Sequence, residues 1–237
     1  MIQNKRTGKR SSRRFYFYLL ELLTIFHGDK ENGEYLMGQI KSVLFDLGNV
    51  LAVIDFHKFW SSLGFSRPDE IAPFADGYTS WTRQFETGFI STSEYLTGLH
   101  SVFGRRFTLD QLEQAFANII QKPVDGMMDI VKRISREHRT ALVSNTNEIH
   151  YKISLEKFEV LSVLHTHYLS YKMRVMKPAH GFYDAIISDQ KIDPSEMLFI
   201  DDIADNINAA KNAGMQAVKF EKPGQLEDIL KTFGVLL

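Results

Sequence analysis

The chain has 237 residues, of which 44% are hydrophobic and 24% are charged, and its formal net charge is −1. These values are typical of a globular protein with one domain, or one domain that carries an insertion, and they give no indication of nucleic acid binding. The absence of cysteine excludes disulfides and thiolate chemistry and fits a reducing compartment, so we expect a cytoplasmic protein. We also expect a monomer or a homodimer.

Residues 1–36 form an N-terminal extension that differs from the rest of the chain. A basic run is followed by a twelve-residue apolar stretch from Phe15 to Phe26, which Glu21 interrupts. A helix that spans a membrane needs about 20 apolar residues, so we expect no stable membrane insertion. Two interpretations stay open. Either the extension is not part of the native product, which would then begin near Met37, or it is a weak surface anchor.

Short apolar runs bounded by turn residues predict buried parallel strands. They are Ser42–Phe45, Ala141–Val143, Met197–Ile200 and Gln216–Phe220, with His165–Leu169 as a candidate fifth strand. Helical patterns lie between these runs, and Gly214 is well placed as the C-cap of the last of them. The alternation predicts an α/β fold, a doubly wound Rossmann-like parallel sheet.

Residues 56–121 interrupt this alternation and show no clear strand. Ser91–Glu94 and Thr108–Gln111 both have the pattern of a capping box, and apolar side chains follow with helical spacing. We therefore predict an all-helical cap over 56–121, inserted into a core formed by 37–55 and 122–237. Loops at the carboxyl ends of parallel strands carry ligand sites, so this insertion would cover the site.

Residues with chemical potential cluster where the predicted strands end. They are Asp46, Ser144, Asn145, Lys177, Asp201 and Asp202. Carboxylates that face each other raise one another's pKa unless a cation compensates them. Oxygen ligands together with water select Mg²⁺, and Mg²⁺ binds phosphate oxygens readily. The sequence therefore predicts a magnesium site that receives a phosphorylated small molecule.

Each residue type suits one task in such a site. Asp46 could attack phosphorus and give an aspartyl-phosphate that water hydrolyses. Lys177 would neutralise charge, and the Ser144 hydroxyl with nearby backbone N–H groups would hold phosphoryl oxygens. Gly48 leaves room for its backbone carbonyl to approach the metal. Taken singly, these residues are equally explained as turns, helix starts or solvated loops, so the prediction depends on the whole set in this order.

Four motifs in this order resemble those of the haloacid dehalogenase-like superfamily. They are Phe45–Leu51, Val143–Asn147, Met176–Tyr183 and Phe199–Met215, and the resemblance extends from about Ile40 to the C-terminus. It implies a Rossmann-like core with a helical cap of the C1 type. The branch it resembles contains bacterial glucose-1-phosphate phosphatases and the N-terminal phosphatase domain of soluble epoxide hydrolases. A sugar phosphate is therefore the expected class of substrate.

The resemblance also implies roles for individual residues. Asp46 would be the nucleophile and a metal ligand, and the Gly48 carbonyl and Asp202 would be further metal ligands. Asp201 and Asn206 would support the metal shell. Ser144, Asn145 and Lys177 would complete the catalytic set.

One position departs from the pattern of the superfamily. Most of its phosphatases have a second aspartate two residues after the nucleophile, which protonates the leaving oxygen and then activates water; here that position is Gly48. Loss of a general acid–base group typically costs about 10²–10⁴-fold in rate. Asp55 or His57 could substitute if the chain folds back, whereas the alternative is that Asp55 only starts a helix.

Gly48 keeps two other functions open. The first is a non-catalytic, regulatory protein that binds phosphate without turnover. The second is a metal-independent 2-haloacid dehalogenase, although the adjacent carboxylates Asp201 and Asp202 make little sense without a cation.

Two further groups of side chains have less chemical significance. His165 and His167 would point the same way along a strand, but no third ligand is evident, so we expect packed or solvated histidines. Aromatic residues of the insertion are expected to pack within it, and one or two of them to reach the substrate. They are Trp60, Trp81, Phe85 and Phe89.

Overall fold

The computed structural model describes residues 39–235, so the predictions on residues 1–36 lie outside the described residues. The strands, in chain order, are β1 (Ser42–Phe45), β2 (Ala52–Ile54), β3 (Ile120–Pro123), β4 (Arg139–Ser144), β5 (Thr166–Leu169), β6 (Met197–Asp201) and β7 (Gln216–Lys219). Five of them form a parallel sheet in the order β5-β4-β1-β6-β7. This sheet confirms the predicted α/β fold, including the candidate fifth strand.

Helices connect and cover the strands. They are α1 (His57–Ser62), α2 (Pro68–Glu86), α3 (Thr92–Val102), α4 (Leu109–Ala117), α5 (Met127–Ile134), α6 (Glu148–Lys157), α7 (Val160–Val163), α8 (Ser170–Met173), α9 (His180–Gln190), α10 (Ala204–Asn212) and α11 (Pro223–Thr232), with a 3₁₀ turn at Pro194–Glu196. Gly214 follows α10 with a positive φ of 90°, as the C-cap prediction requires. Within the described residues no helix is long and apolar enough to cross a membrane.

All four residues of the central strand β1 are buried, and three of them are apolar, because both faces of the sheet are covered. Val43 and Phe45 pack into one buried cluster, whereas Leu44, which points to the opposite face, packs into another. Both edges of β1 are also paired, with β4 on one side and β6 on the other. A strand buried in this way is a continuous hydrophobic run in the sequence, and this explains why its bounds were predicted correctly.

Helices α1–α4 lie between β2 and β3, which pair as a short antiparallel ribbon. We refer to residues 57–117 as the helical insert. Both predicted capping boxes are present at the starts of α3 and α4. Two expectations were wrong: Ile120 and Gln121 belong to β3, inside the stretch predicted to lack strands, and Phe89 is 64% exposed rather than packed.

The helical insert has an aromatic core of its own. Phe85 stacks on Tyr95 with ring centroids 4.5 Å apart, and Phe59 contacts Phe103 and Phe116. Offset and edge-to-face pairs of this kind add about 0.5–1.5 kcal/mol each beyond the area they bury. The same cluster includes Ile149 of α6, so the insert packs directly against the rest of the described chain.

A hydroxyl and a glycine fix the end of α2 against the edge of the sheet. Ser170 Oγ lies 2.6 Å from the Glu86 carbonyl oxygen, and it also accepts a hydrogen bond from the Thr146 backbone N–H. Two residues further on, Gly88 has a φ of 70°, and a Cβ placed there would lie 1.9 Å from the Tyr171 carbonyl oxygen. This close approach of two backbones is possible only without a side chain.

We expect Gly88→Ala to destabilise the protein more than Gly64→Ala. Gly64 also has a positive φ, of 84°, but a Cβ there meets nothing within 4 Å. Gly64→Ala therefore measures the cost of the left-handed conformation alone, about 1 kcal/mol, whereas Gly88→Ala adds an overlap that costs about 1–3 kcal/mol more. Urea unfolding of both variants measures the difference, and equal losses would contradict this account.

His150 of α6 forms a second junction with the insert. Its Nε2 bonds the Phe116 carbonyl oxygen at 2.9 Å, and its Nδ1 accepts from the Asn147 amide at 3.1 Å. The ring also stacks on Phe116 with centroids 4.1 Å apart. Burial lowers the pKa of His150 to about 4, although the bond to Phe116 partly opposes this shift. His150 is therefore neutral in the folded protein at neutral pH.

This neutral histidine predicts a loss of stability in mild acid. Its folded-state pKa of about 4 lies below the unfolded value of 6.5, so its contribution is fully present above pH 6.5 and is lost as the pH falls towards 4. The loss is at most about 3 kcal/mol. We expect His150→Gln to be less stable at pH 7 but to have a flatter unfolding free energy between pH 6.5 and 4. His57→Gln, at an exposed histidine, should parallel the wild type.

Candidate active site

The polar residues predicted from the sequence lie at the carboxyl edge of the parallel sheet. Asp46 follows β1 directly, Ser144 is the last residue of β4, and Asp201 is the last residue of β6. The segment after α8 brings Lys177 to the same edge. The sheet order places β1 between β4 and β6, and this arrangement brings segments more than 100 residues apart into contact.

The Lys177 ammonium lies between two aspartates. Its Nζ is 2.7 Å from Asp46 Oδ1, 2.6 Å from Asp201 Oδ2 and 2.9 Å from the Val143 carbonyl oxygen. Burial alone would lower the pKa of Lys177, but the charges of Asp46 and Asp201 raise it above its ordinary value. The lysine therefore stays protonated, and all three of its N–H donors face an oxygen.

Asn145 fixes the backbone of Lys177 rather than its side chain. Its Oδ1 accepts from the Lys177 N–H and its Nδ2 donates to the Lys177 carbonyl, both at 2.8 Å. This paired contact holds the lysine's segment against the end of β4. The amide is consequently occupied by the backbone, which makes Asn145 a residue that positions Lys177.

Asp46 is buried, with 7% of its surface exposed. Burial raises its pKa to about 6; Lys177 opposes the shift, and the charge of Asp201 adds to it. The carboxyl thus bears an electrostatic cost that one ammonium does not remove. A further positive charge beside Asp46 would favour the ionised form.

Asp46, Asp201 and Asp202 form an acidic cluster. One carboxylate oxygen from each residue lies within 4.8 Å of the other two. One ammonium balances one of these three charges, so a divalent cation matches the remainder. The donors are hard oxygens, which Mg²⁺ and Ca²⁺ prefer. The residues present therefore fit a magnesium ion by charge, by ligand type and by proximity.

Two asparagines orient the carboxylates of this cluster. Asn206 donates from Nδ2 to Asp201, 3.1 and 3.0 Å from its two oxygens, and Asn49 donates from Nδ2 to Asp202 Oδ2 at 3.1 Å. The Asp201 carboxylate also accepts from the Ile203 N–H. The role of Asn49 was not predicted from the sequence, although this residue stands within the first motif, because its partner Asp202 is 153 residues away.

Gly48 is surrounded by side chains that leave little space. A Cβ at this position would lie 3.0 Å from Ile54 Cδ1 and 3.7 Å from Asp46 Oδ2. Its φ is not in the left-handed region, so the backbone conformation does not by itself require glycine here. A second aspartate at position 48 would require Ile54 to move. This contact could not be inferred from sequence spacing.

The candidates for the missing acid and for a second metal site have structural roles. Asp55 Oδ1 accepts from the His57 N–H at 2.9 Å, which favours the interpretation that Asp55 starts a helix. His165 Nδ1 bonds Thr140, and His167 bonds the Tyr151 hydroxyl and the Leu161 carbonyl. His165 is exposed and His167 is half-buried, and both rings are engaged in hydrogen bonds within the fold.

Residues 89–220 match the family described as haloacid dehalogenase-like hydrolase. The match covers more than half of the chain, so the chain belongs to this family. The matched range contains Ser144, Asn145, Lys177, Asp201, Asp202 and Asn206, and it begins after Asp46.

Two characterised relatives are phosphatases or hydrolases of phosphorylated metabolites. The chain is 28% identical over 193 residues to a D-ribitol-5-phosphate phosphatase of Bacteroides thetaiotaomicron, and the alignment covers 77% of this chain and 92% of that protein. It is 24% identical over 152 residues to flavin mononucleotide hydrolase 1 of Arabidopsis thaliana, covering 64% of this chain and 61% of that protein.

A solved structure has the same fold. It is a haloacid dehalogenase family enzyme from Bacteroides thetaiotaomicron in complex with magnesium and inorganic phosphate. It superposes with a TM-score of 0.68 at 28% identity, covering 77% of this chain and 95% of that one.

Magnesium should stabilise the wild-type protein through the acidic cluster. A ligand that binds only the folded state at 100 times its dissociation constant contributes about 2.7 kcal/mol, which raises the Tm. We expect Asp202→Asn to lose most of this magnesium-dependent rise in Tm. Asp205→Asn, at an exposed position on the same segment, should keep it. An unchanged magnesium response in Asp202→Asn would place the cation elsewhere.

Proposed function

We propose that the chain is a magnesium-dependent phosphomonoester hydrolase that acts on a small phosphorylated metabolite through an aspartyl-phosphate at Asp46. The observation that carries this proposal is the buried Lys177 ammonium held between Asp46 and Asp201, beside a third carboxylate. Membership of the hydrolase family, together with a relative that acts on D-ribitol 5-phosphate, supports a sugar or sugar-alcohol phosphate as the substrate.

In this proposal Asp46, Asp202 and the Gly48 carbonyl hold the magnesium ion. Asp201 and Asn206 support these ligands. Asn206 donates to both carboxylate oxygens of Asp201, and Lys177 donates to Oδ2. When bound, the cation neutralises charge on the phosphoryl group. The Lys177 ammonium supplies a second positive charge, which lies directly beside the attacking carboxylate of Asp46.

The reaction has two displacements at phosphorus. An Asp46 carboxylate oxygen forms a bond to phosphorus while the bond to the ester oxygen breaks, and the leaving oxygen takes up a proton from a water molecule. A second water then attacks the same phosphorus, the bond to Asp46 breaks, and that water's proton passes to solvent as inorganic phosphate leaves and the carboxylate is restored. Ser144 would hold phosphoryl oxygens during both steps, and the positive charge of Lys177 would offset negative charge on the nucleophile and the phosphate.

Glycine at position 48 affects the first displacement, because it offers no carboxyl to protonate the leaving oxygen. Without that acid, turnover depends more strongly on the acidity of the leaving alcohol, at a cost of about 10²–10⁴-fold for poor leaving groups. We therefore expect aryl phosphates to be hydrolysed faster than simple alkyl phosphates.

The helical insert is proposed to act as a cap over this site, within the boundaries 56–121 and with the core in 37–55 and 122–237. Two contacts support this: Ser170 joins the end of α2 to the Thr146 backbone, next to Asn145, and Gly88 lies against the Tyr171 backbone. A cap in this position excludes bulk water from the acyl-phosphate.

Asp46→Asn should abolish phosphatase activity. It removes the nucleophile but keeps a hydrogen-bonding side chain of equal size, so the fold is retained. We expect a loss of about 10⁴-fold or more in kcat on p-nitrophenyl phosphate with magnesium. Intact-mass spectrometry of a quenched wild-type reaction should show a phosphorylated chain, and the variant should not.

Asp55→Asn is the matched control for this experiment. Because the Asp55 carboxylate accepts from His57, we expect the same ratio of rates on aryl and alkyl phosphates as in the wild type.

EDTA separates the alternative functions. Activity on 2-haloacids that survives EDTA would support the metal-independent dehalogenase, and magnesium-dependent phosphate binding with no turnover on any ester would support the non-catalytic protein.

A further inference from the structure

The helical insert contains a polar stripe that its aromatic core does not explain. Tyr78, Thr82 and Glu86 stand four residues apart on α2, so they share one face of that helix. The Tyr95 hydroxyl of α3 joins them, 3.1 Å from Thr82 Oγ1. We call these four side chains the polar stripe.

The carboxyl of Glu86 has no partner among the residues that the structure describes. Its backbone carbonyl contacts Ser170, but no hydrogen bond or ion pair in residues 39–235 reaches its side chain. Burial raises the pKa of Glu86 to about 7. Glu86 is only half-buried, so its carboxyl stays open to a ligand. A partly desolvated carboxyl without a protein partner is characteristic of binding sites.

The phenols of the stripe are held in their neutral form. Burial raises the pKa of Tyr78, and the charge of Glu86 raises it further; Tyr95 is shifted upwards chiefly by burial as well. Both hydroxyls therefore remain donors throughout the physiological pH range. The stripe as a whole offers hydroxyl and carboxyl groups and contains no basic side chain.

Both ends of the stripe contact segments that flank the active site. At one end, the Glu86 backbone lies against Ser170, which also bonds Thr146, next in sequence to Asn145. At the other end, the Tyr78 ring packs on Phe59 and Trp60 of α1, with centroids 4.6 and 5.0 Å apart. Helix α1 begins three residues after Ile54, which covers Gly48.

We propose that the polar stripe binds the hydroxyl groups of a neutral, polyhydroxylated leaving group while the phosphate lies at Asp46. This inference rests on the proposed function and specifies its substrate class. Tyr95 is fully buried and holds Thr82 in place, so the side chains open to the leaving group are those of Tyr78, Thr82 and Glu86, which are partly exposed. Hydroxyls both donate and accept, so they satisfy a carboxyl, a threonine and a phenol together. A second phosphate or a carboxylate on the substrate would instead face Glu86 with no cation in the stripe, and this disfavours it.

Glu86→Leu is the test, with D-ribitol 5-phosphate and p-nitrophenyl phosphate as substrates in the presence of magnesium. We expect KM for D-ribitol 5-phosphate to rise about tenfold, the loss of one or two hydrogen bonds. Values for p-nitrophenyl phosphate, which has no hydroxyls on its leaving group, should change less than about twofold. Glu86→Gln, which keeps an acceptor and adds donors, should restore most of the affinity.

Glu113→Leu, on α4 of the same insert, is the matched control and should leave both substrates unchanged. The wild type should also prefer D-ribitol 5-phosphate to 3-phosphoglycerate by about tenfold or more in kcat/KM, because the latter carries a carboxylate. Equal losses on both substrates in Glu86→Leu would overturn the inference and assign Glu86 a purely structural role.

Failure of the proposed function gives a different result. If the wild type hydrolyses neither ester, calorimetric titration of the magnesium-loaded protein decides the inference by itself. Tighter binding of D-ribitol 5-phosphate than of inorganic phosphate, lost in Glu86→Leu, would support the polar stripe as a subsite. Equal binding of the two would reject it.

Discussion

The site depends on one buried ammonium held between two carboxylates at the ends of different strands. Lys177 holds Asp46 at the end of β1 and Asp201 at the end of β6, and it leaves a third carboxylate, Asp202, within reach of a cation. Removing Lys177 would leave two buried carboxylates without a counter-charge, and the loss of one partner from a buried ion pair costs about 3–5 kcal/mol. The same contact thus stabilises the edge of the sheet and sets the charge that a divalent ion and a phosphate would complete.

Three asparagines around Lys177 orient the charged groups of the site. Asn145 holds its backbone, Asn206 holds the carboxylate of Asp201, and Asn49 holds that of Asp202. These amides are neutral, so no charge is desolvated when they are buried, and they offer donors and acceptors with fixed geometry. In combination they place three ionised groups within a few ångströms of each other without depending on flexible side chains, and such preorganisation lowers the reorganisation needed during phosphoryl transfer.

Periodicity and turn chemistry were sufficient to predict the sheet, because a strand covered on both faces is a continuous apolar run; β1 has the predicted bounds. The ribbon of β2 and β3 was missed since Ile120–Pro123 is short and contains Gln121 and Lys122, which resemble a loop. The exposure of Phe89 could not be distinguished from burial by residue type. The contact of Asn49 with Asp202, and that of Ile54 above Gly48, are properties of the tertiary fold alone.

The position of β1 also has a consequence for biosynthesis. It is the first strand of the sheet to leave the ribosome, yet both of its neighbours follow much later, β4 from Arg139 and β6 from Met197. A nascent chain therefore exposes an unpaired, largely apolar strand while about a hundred further residues are added, a state prone to aggregation. Folding of the sheet, and with it any phosphate chemistry, must wait for the last quarter of translation.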